Sequence, residues 1–382
     1  MAGVAGKKSS LTWAVQISVA LLVLLWLFPT VGLFVSSFRT ADQISASGWW
    51  AALFSSEQSE VFRTLDPDEH RVLDGNGFRV DGTIFADTPL NIQAWGVSSR
   101  DIAAYQPGET AEMKGGETLT LRRDGSYTWR GSDEQLAGRG QRVFVTAQVP
   151  PEFTLDNYAT ILFSGSGQDN MAKAFFNTLT VTIPATIIPI VIAAFAAYAL
   201  AWMEFPGRAL LIAAIVGLLV VPLQLALIPL LRLHLGIGIG KGYIGAWLAH
   251  TAFGMPLAVY LLRNYMAGLP RDIIENAKVD GATDFQIFTR IIIPLSFPAL
   301  ASFAIFQFLW TWNDLLVAKV FLIDATGSTT VMTNQIVELL GTRGGNWEIL
   351  ATAAFVSIAV PLGVFFVMQR YLVRGLLAGS VK

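Results

Sequence analysis

Gly268-Leu-Pro-Arg-Asp-Ile-Ile-Glu-Asn-Ala-Lys-Val-Asp-Gly-Ala-Thr-Asp-Phe-Gln-Ile-Phe-Thr-Arg-Ile-Ile-Ile-Pro294 lies between two long apolar runs. Pro270 suits the first turn of a helix, where a missing N–H costs nothing. That helix should reach about Val279 and stop at Asp280-Gly281, because glycine accepts the left-handed geometry of a C-terminal cap. Thr283 and Gln286 stand three apart, as a capping box requires. The second helix should run to about Ile292, with Pro294 breaking it. The stretch therefore reads as two short helices and a fixed turn, held between the flanking runs.

Working outward, those flanks are apolar for too long to belong to a soluble core. Of the 382 residues, 53% are hydrophobic and 14% charged, whereas a soluble domain is about a quarter charged. The excess is gathered into six runs, at about residues 11–35, 174–203, 209–231, 243–262, 295–322 and 349–373. A helix needs about 20 apolar residues to cross the hydrocarbon. The expected fold is an all-α polytopic membrane protein with six transmembrane helices. Pro222, Pro229 and Pro256 interrupt the third and fourth runs. Kinks are expected there, since the freed carbonyls must be satisfied by protein or a cavity. Lys7 and Lys8 precede the first run, as they would a cleaved signal peptide. The run's length and its lack of an Ala-x-Ala site favour a retained span.

Lys and Arg in short loops set orientation. With the N-terminus inside, the cytoplasmic stretches hold Lys7, Lys8, Arg208, Arg263, Arg271, Lys278, Arg290, Arg370, Arg374 and Lys382. The opposite short stretches hold Arg232, Lys241, Lys319 and Arg343. Both termini and the 264–294 loop are therefore expected in the cytoplasm. The remaining cations lie between Arg39 and Lys173, in a connection long enough to escape the rule.

That connection reads differently from the spans. Asp74-Gly75-Asn76-Gly77 is turn chemistry, and Asp124-Gly125 separates two stretches, 119–122 and 126–130, as in a β-hairpin. Residues 142–149 read as another strand. The expectation is a β-rich extracytoplasmic domain inserted between the first two helices, the alternative being a partly disordered loop. The chain then divides into 1–37 (N-terminus and first helix), 38–150 (insertion) and 151–382 (five-helix core with the 264–294 loop).

Glu-x-Ala-x-x-Asp-Gly-Ala followed by Ile-x-x-Pro resembles the signature loop of binding-protein-dependent ABC importer permeases. It places Glu275, Ala277, Asp280, Gly281, Ala282, Ile291 and Pro294 on the family pattern, with Asn276 where a second alanine is usual. The resemblance implies that this loop is a coupling element seated in a cleft of a separate ATPase subunit. Glu275 would pair with a basic group there, and Ala277 and Gly281 would allow close backbone approach. The C-terminal residues 370–382 look like the tail of the smaller permease of maltose-type heterodimers, which implies that Gly379, Ser380, Val381 and Lys382 contact the ATPases. Residues 151–158 resemble the stretch that follows a short first loop in these proteins. The insertion makes the chain look most like alpha-glucoside permeases. The implied assembly holds a second permease, two ATPase subunits that bind ATP and Mg, and an extracytoplasmic sugar-binding protein. It would sit in a bacterial cytoplasmic (inner) membrane.

Polar groups at membrane depth are default functional candidates. Gln307, Trp310 and Asn313 are candidates for a sugar path, while Trp312 and Asp314 read better as an interfacial belt. Gln224 on the third run could hydrogen-bond across helices, and His250 reads as an interhelical donor rather than a proton carrier. Residues 326–347 are expected outside, with a short helix at 333–340. The glycine-rich tip Thr342-Arg343-Gly344-Gly345-Asn346 suits either a binding-protein contact or a plain turn. The run Gly236-Ile-Gly-Ile-Gly-Lys-Gly242 is no phosphate loop, because it lacks the spacing, the terminal Ser or Thr, and a preceding strand. There is no cysteine and there are only three histidines, so disulfides, thiolate chemistry and a metal site are not expected. No catalytic set is apparent, so the chain reads as a non-enzymatic subunit. Two other classes stay open: a stand-alone secondary transporter, for which inverted repeats and midplane carboxylates are wanting, and a membrane-anchored ligand sensor.

Overall fold

The computed structural model describes residues 10–85, 91–163, 171–322, 326–342 and 345–378. The chain forms two compact units, Met1–Leu155 and Asp156–Lys382.

The first unit begins with α1 (Ser10–Ser36), apolar on every face and carrying a candidate span at Leu11–Ser36. A tight connection follows, with α2 (Ala41–Ala46) capped by Thr40 and a single 3₁₀ turn at Trp49–Ala51. The rest is β-rich: β1 (Ser56–Arg63), the short α3 (Pro67–His70), β2 (Val72–Asp74), β3 (Gly77–Thr83), β4 (Asn91–Gly96), β5 (Thr110–Glu112), β6 (Thr118–Leu121), β7 (Ser126–Gly131) and β8 (Arg142–Val149). All pairs are antiparallel, in sheets ordered β1-β8-β4 and β2-β3-β7-β6-β5. Strand residues alternate between core and surface. Val143, Val145 and Ala147 of β8 point into one cluster with Leu119, Leu121 and Trp129. The two sheets thus share a core, which removes the disordered-loop alternative. Gly75, at φ +65°, turns β2 into β3. Gly125, at φ +84°, turns β6 into β7, where its N–H meets the Arg122 carbonyl at 3.0 Å. Both turns need the left-handed region that glycine tolerates.

The second unit is helical: α4 (Asp156–Phe163), α5 (Met171–Trp202), α6 (Arg208–Leu218), α7 (Leu223–Gly236), α8 (Tyr243–Ala267), α9 (Arg271–Val279), α10 (Asp284–Ile287), α11 (Ile293–Trp312), α12 (Leu316–Phe321), α13 (Met332–Thr342) and α14 (Trp347–Ala378). Among the described residues, five helices of the chain are long and apolar enough to cross a membrane, or six if one bent pair counts as a single span. α5, α8, α11 and α14 make the packed centre of this unit. Gln307 on α11, for example, donates to the carbonyls of Ala185 on α5 (3.1 Å) and His250 on α8 (3.3 Å).

Two expectations are corrected and a third is sharpened. The kink expected in the third run is a bend of 110° between α6 and α7, which makes that run a broken span or a re-entrant pair. Pro222 caps α7 in an extended conformation and its ring disfavours helix across the junction, whereas Pro229 stays inside α7. The fifth run ends early. α11 stops at Trp312 and a new helix begins after Asp314, whose carboxylate accepts the Ala318 N–H at 3.1 Å. Finally, Pro294 breaks nothing. One helix runs from Asp284 to Trp312 through a π turn at Phe288–Ile292. In a regular helix the Pro294 ring would clash with the Arg290 carbonyl four residues back. Arg290 lies inside the π turn, where the Ile293 N–H reaches back five residues to Phe288 and the backbone ring is wider.

Candidate functional site

The loop at 264–294 is built by capping and by packing. α9 ends in a Schellman motif. Gly281 is left-handed at φ +81°, its N–H meets the Lys278 carbonyl at 3.0 Å, and the Ala282 N–H meets the Ala277 carbonyl at 3.0 Å. A Cβ on Gly281 would touch nothing within 4 Å, so within this chain the glycine serves the backbone angle and not close approach. Ala277 and Ala282, the two residues that such a motif brings together, both pack inward against the helical core. The capping box is present in full: Thr283 accepts the Gln286 N–H at 3.3 Å, and Gln286 accepts the Thr283 N–H at 2.9 Å.

Below this turn the loop is seated on the helices. Ile274, Ile287, Phe288 and Ile292 are buried in one cluster with the ends of α5 and α8. The Phe288 ring lies 4.6 Å from that of Phe195 and 5.3 Å from that of Tyr198. Tyr198 donates to the Asp284 carboxylate at 3.2 Å, and Trp202 donates to the Met266 carbonyl at 3.1 Å. Asp284 also faces Lys278 at 3.9 Å, an exposed pair of small energetic weight. Through these side chains the loop is packed onto α5, α8 and α11.

The opposite face is open. Asp272, Glu275, Asn276 and Val279 are spaced as one helical stripe and all are exposed. Glu275 has no ion-pair or hydrogen-bond partner among the described residues. Asn276, the departure from the family pattern, points outward and disturbs no packing. Two apolar side chains stand out beside it: Val279 is 87% exposed and Phe285 65%. Sequence reasoning passed over both. The signal was present, since Val279 lies off the inward stripe of Ile274 and Ala277, and an apolar residue there has no core to enter. Asp280 is exposed at the cap, and Pro294 is exposed in the first turn of α11.

The other candidates are scattered. Gln307 is buried between α5, α8 and α11, where a Cβ on Gly254 would strike it at 2.5 Å. Trp310 and Asn313 are exposed, with Phe306, along one stripe of α11; Asn313 donates to its own helix at Leu309 (2.8 Å). Trp312 is neither belt nor sugar platform. It is buried, stacked on Phe308 at 5.6 Å, and donates to the Ser357 carbonyl of α14 at 2.9 Å. Asp314 is likewise shielded, 3.8 Å from His250. Thr342 ends α13, and Gly345 and Asn346 are exposed before α14. Arg343 and Gly344 lie outside the described residues, as do Gly379, Ser380, Val381 and Lys382. Among the described residues no three His, Asp or Glu side chains gather as metal ligands would.

Comparison with known proteins finds relatives of this chain. The family described as binding-protein-dependent transport system inner membrane component matches residues 159–377. The alpha-glucoside transport system permease protein AglG of Rhizobium meliloti is 59% identical over 382 residues, covering 98% of each chain. The osmoprotective compounds uptake permease protein GgtD of Synechocystis sp. is 57% identical over 231 residues, covering 60% of this chain and 76% of its own. A solved bacterial ABC transporter involved in the import of the acidic polysaccharide alginate aligns at 21% identity with a TM-score of 0.48, over 59% of this chain and 81% of its own. On the strength of the family match and the full-length relative, this chain belongs to the binding-protein-dependent transport system inner membrane components.

Proposed function

We propose that the chain is the smaller permease subunit of an ATP-driven, binding-protein-dependent importer of alpha-glucosides and related maltose-like sugars. The observation that carries this reading is the loop with two faces. One face is packed into α5, α8 and α11, and the other offers Glu275, Asn276, Val279, Asp280 and Phe285 to a partner. Likeness to AglG along nearly the whole chain supports the sugar class.

In this reading the chain binds no nucleotide. Two ATPase subunits hold ATP and Mg, and α9 docks in a cleft of one of them. Val279 and Phe285 bury there and Glu275 meets a basic group. ATPase closure moves α9, and the packed cluster carries that motion to α5, α8 and α11. The membrane cavity shared with a second permease then opens outward, and hydrolysis resets it. Both termini and the loop are cytoplasmic and the β-rich segment is extracytoplasmic, as the distribution of Lys and Arg in the short loops favours. An extracytoplasmic sugar-binding protein delivers the cargo past the tip at 342–346, the exposed stripe of Trp310 and Asn313 faces the path, and the tail at 379–382 reaches the ATPases. Gln307 serves the helical junction rather than the sugar.

The test is sugar uptake by the assembled transporter carrying Glu275→Lys or Gly281→Pro, at matched membrane levels. Uptake should fall to background in both, with ATPase co-purification weakened. Normal uptake in either variant would overturn the docking role.

A further inference from the structure

We propose that residues 49–54 form a lipid-embedded anchor that doubles back along α1 and roots the β-rich segment in the membrane interface. It rests on reading α1 as a span and is independent of how the 264–294 loop couples.

The chain leaves α1 at Ser36, yet the Trp49 ring lies 4.6 Å from Phe28, eight residues back inside the helix. Trp50 stacks on Phe28 at 6.4 Å. At 1.5 Å per residue, Phe28 sits about 12 Å below the helix end. Trp49 can lie so close because Gly32 has no side chain; a Cβ there would be 2.7 Å from the indole nitrogen. The reversal is clamped by Arg39, only 2% exposed, whose guanidinium donates to the carbonyls of Ser47 (2.9 Å) and Gln43 (2.5 Å) and to the Ser47 hydroxyl (2.6 Å). The Thr154 N–H donates to the Phe38 carbonyl at 2.8 Å, so the chain leaving the β-rich segment is tied to the chain entering it.

What the returned segment presents is apolar and open. Trp50 is 68% exposed, Leu53 75% and Phe54 71%. No charge occurs between Asp42 and Glu57. Polar β1 then starts at Ser56. Indole rings favour the headgroup boundary, with an apolar body below and an N–H toward water. Leu53 and Phe54, exposed three to five residues after these indoles, extend the apolar surface of α1 toward the same lipid layer. The continuity of this patch with a membrane-spanning helix identifies its occupant as acyl chains and headgroups.

The chain lacks cysteine, so it adds no background of its own to single cysteines placed in it and labelled before assembly with its partners. Leu53→Cys and Phe54→Cys, each spin-labelled in this way and read in the assembled transporter in phosphatidylethanolamine and phosphatidylglycerol vesicles, should collide with oxygen more than with water-soluble nickel. Glu60→Cys on β1 should show the reverse. Adding Gly32→Leu, which displaces Trp49, should raise nickel collisions at position 54 severalfold. Labels at 53 and 54 that see nickel as freely as position 60 would overturn the proposal. So would labels shielded from both reagents, which would assign the patch to a partner protein.

Discussion

Two prolines meet opposite fates in the helical unit. At Pro222 the chain turns through 110° between α6 and α7. At Pro294 the helix continues from Asp284 to Trp312. Both lack the N–H and both crowd the preceding turn, so the proline itself does not explain the difference. The surroundings do. Around Pro294 the residues Ile287, Phe288 and Ile292 are buried under α5 and α8. Their packing keeps the helix in place, and a single π turn accommodates the ring. Before Pro222, Leu219, Val220 and Val221 are exposed, Val220 by 81%. Among the described residues none buries that stretch, so the local preference wins. Proline proposes a break, and tertiary packing decides whether it happens.

The largest effect should come from removing the packing that overrides Pro294. Phe288→Ala deletes a buried ring that meets both Phe195 and Tyr198. Truncations of this kind cost about 3–5 kcal/mol. The expected outcome is a lower unfolding temperature of the purified transporter and easier proteolysis at 280–292, with uptake reduced more than stability. A variant as stable as the parent would mean that packing does not hold the helix through the proline.

Pro222→Ala comes next, since proline inside a helix is disfavoured by about 3 kcal/mol relative to alanine. With exposed flanks, α6 and α7 should move toward a continuous helix. Spin labels at Leu211→Cys and Leu233→Cys should read a longer distance by pulsed EPR in the Pro222→Ala background. An unchanged distance would show that the bend is imposed by neighbours and not by the ring.

The same contrast explains what the sequence made legible. The Asp280-Gly281 stop, the Thr283–Gln286 box and the hairpin at Asp124-Gly125 are local chemistry, decided within about five residues, and each stands as read. The apolar runs located the long helices for the same reason. The continuity through Pro294 was not legible, because it depends on Phe195 and Tyr198 nearly a hundred residues away. Trp312 read as a belt residue, because nothing nearby in sequence announces that Ser357 will accept its N–H. Val279 and Phe285 were missed for a related reason. An apolar side chain announces burial, and although Val279 lies off the inward stripe of α9, the exposure of both is plain only once that stripe is packed.

Pro294→Ala should have the smallest effect, and it isolates the comparison most sharply. If the proline created the π turn, alanine would restore regular i to i−4 bonding. Every residue before it would then rotate by about 100° relative to α11, one residue's turn of a 3.6-residue helix. Ile287 and Phe288 would leave the cluster under α5, and the face carrying Glu275 and Val279 would swing with them. If the packing holds the π turn, as the burial of Ile287, Phe288 and Ile292 indicates, alanine fits the same backbone. Pro294 is itself exposed, so stability should then change by no more than about 1 kcal/mol. Uptake at parental level with Pro294→Ala, set beside impaired uptake with Phe288→Ala, is the expected pair of results. The reverse pair would assign the turn to the proline, and with it the orientation of the docking face.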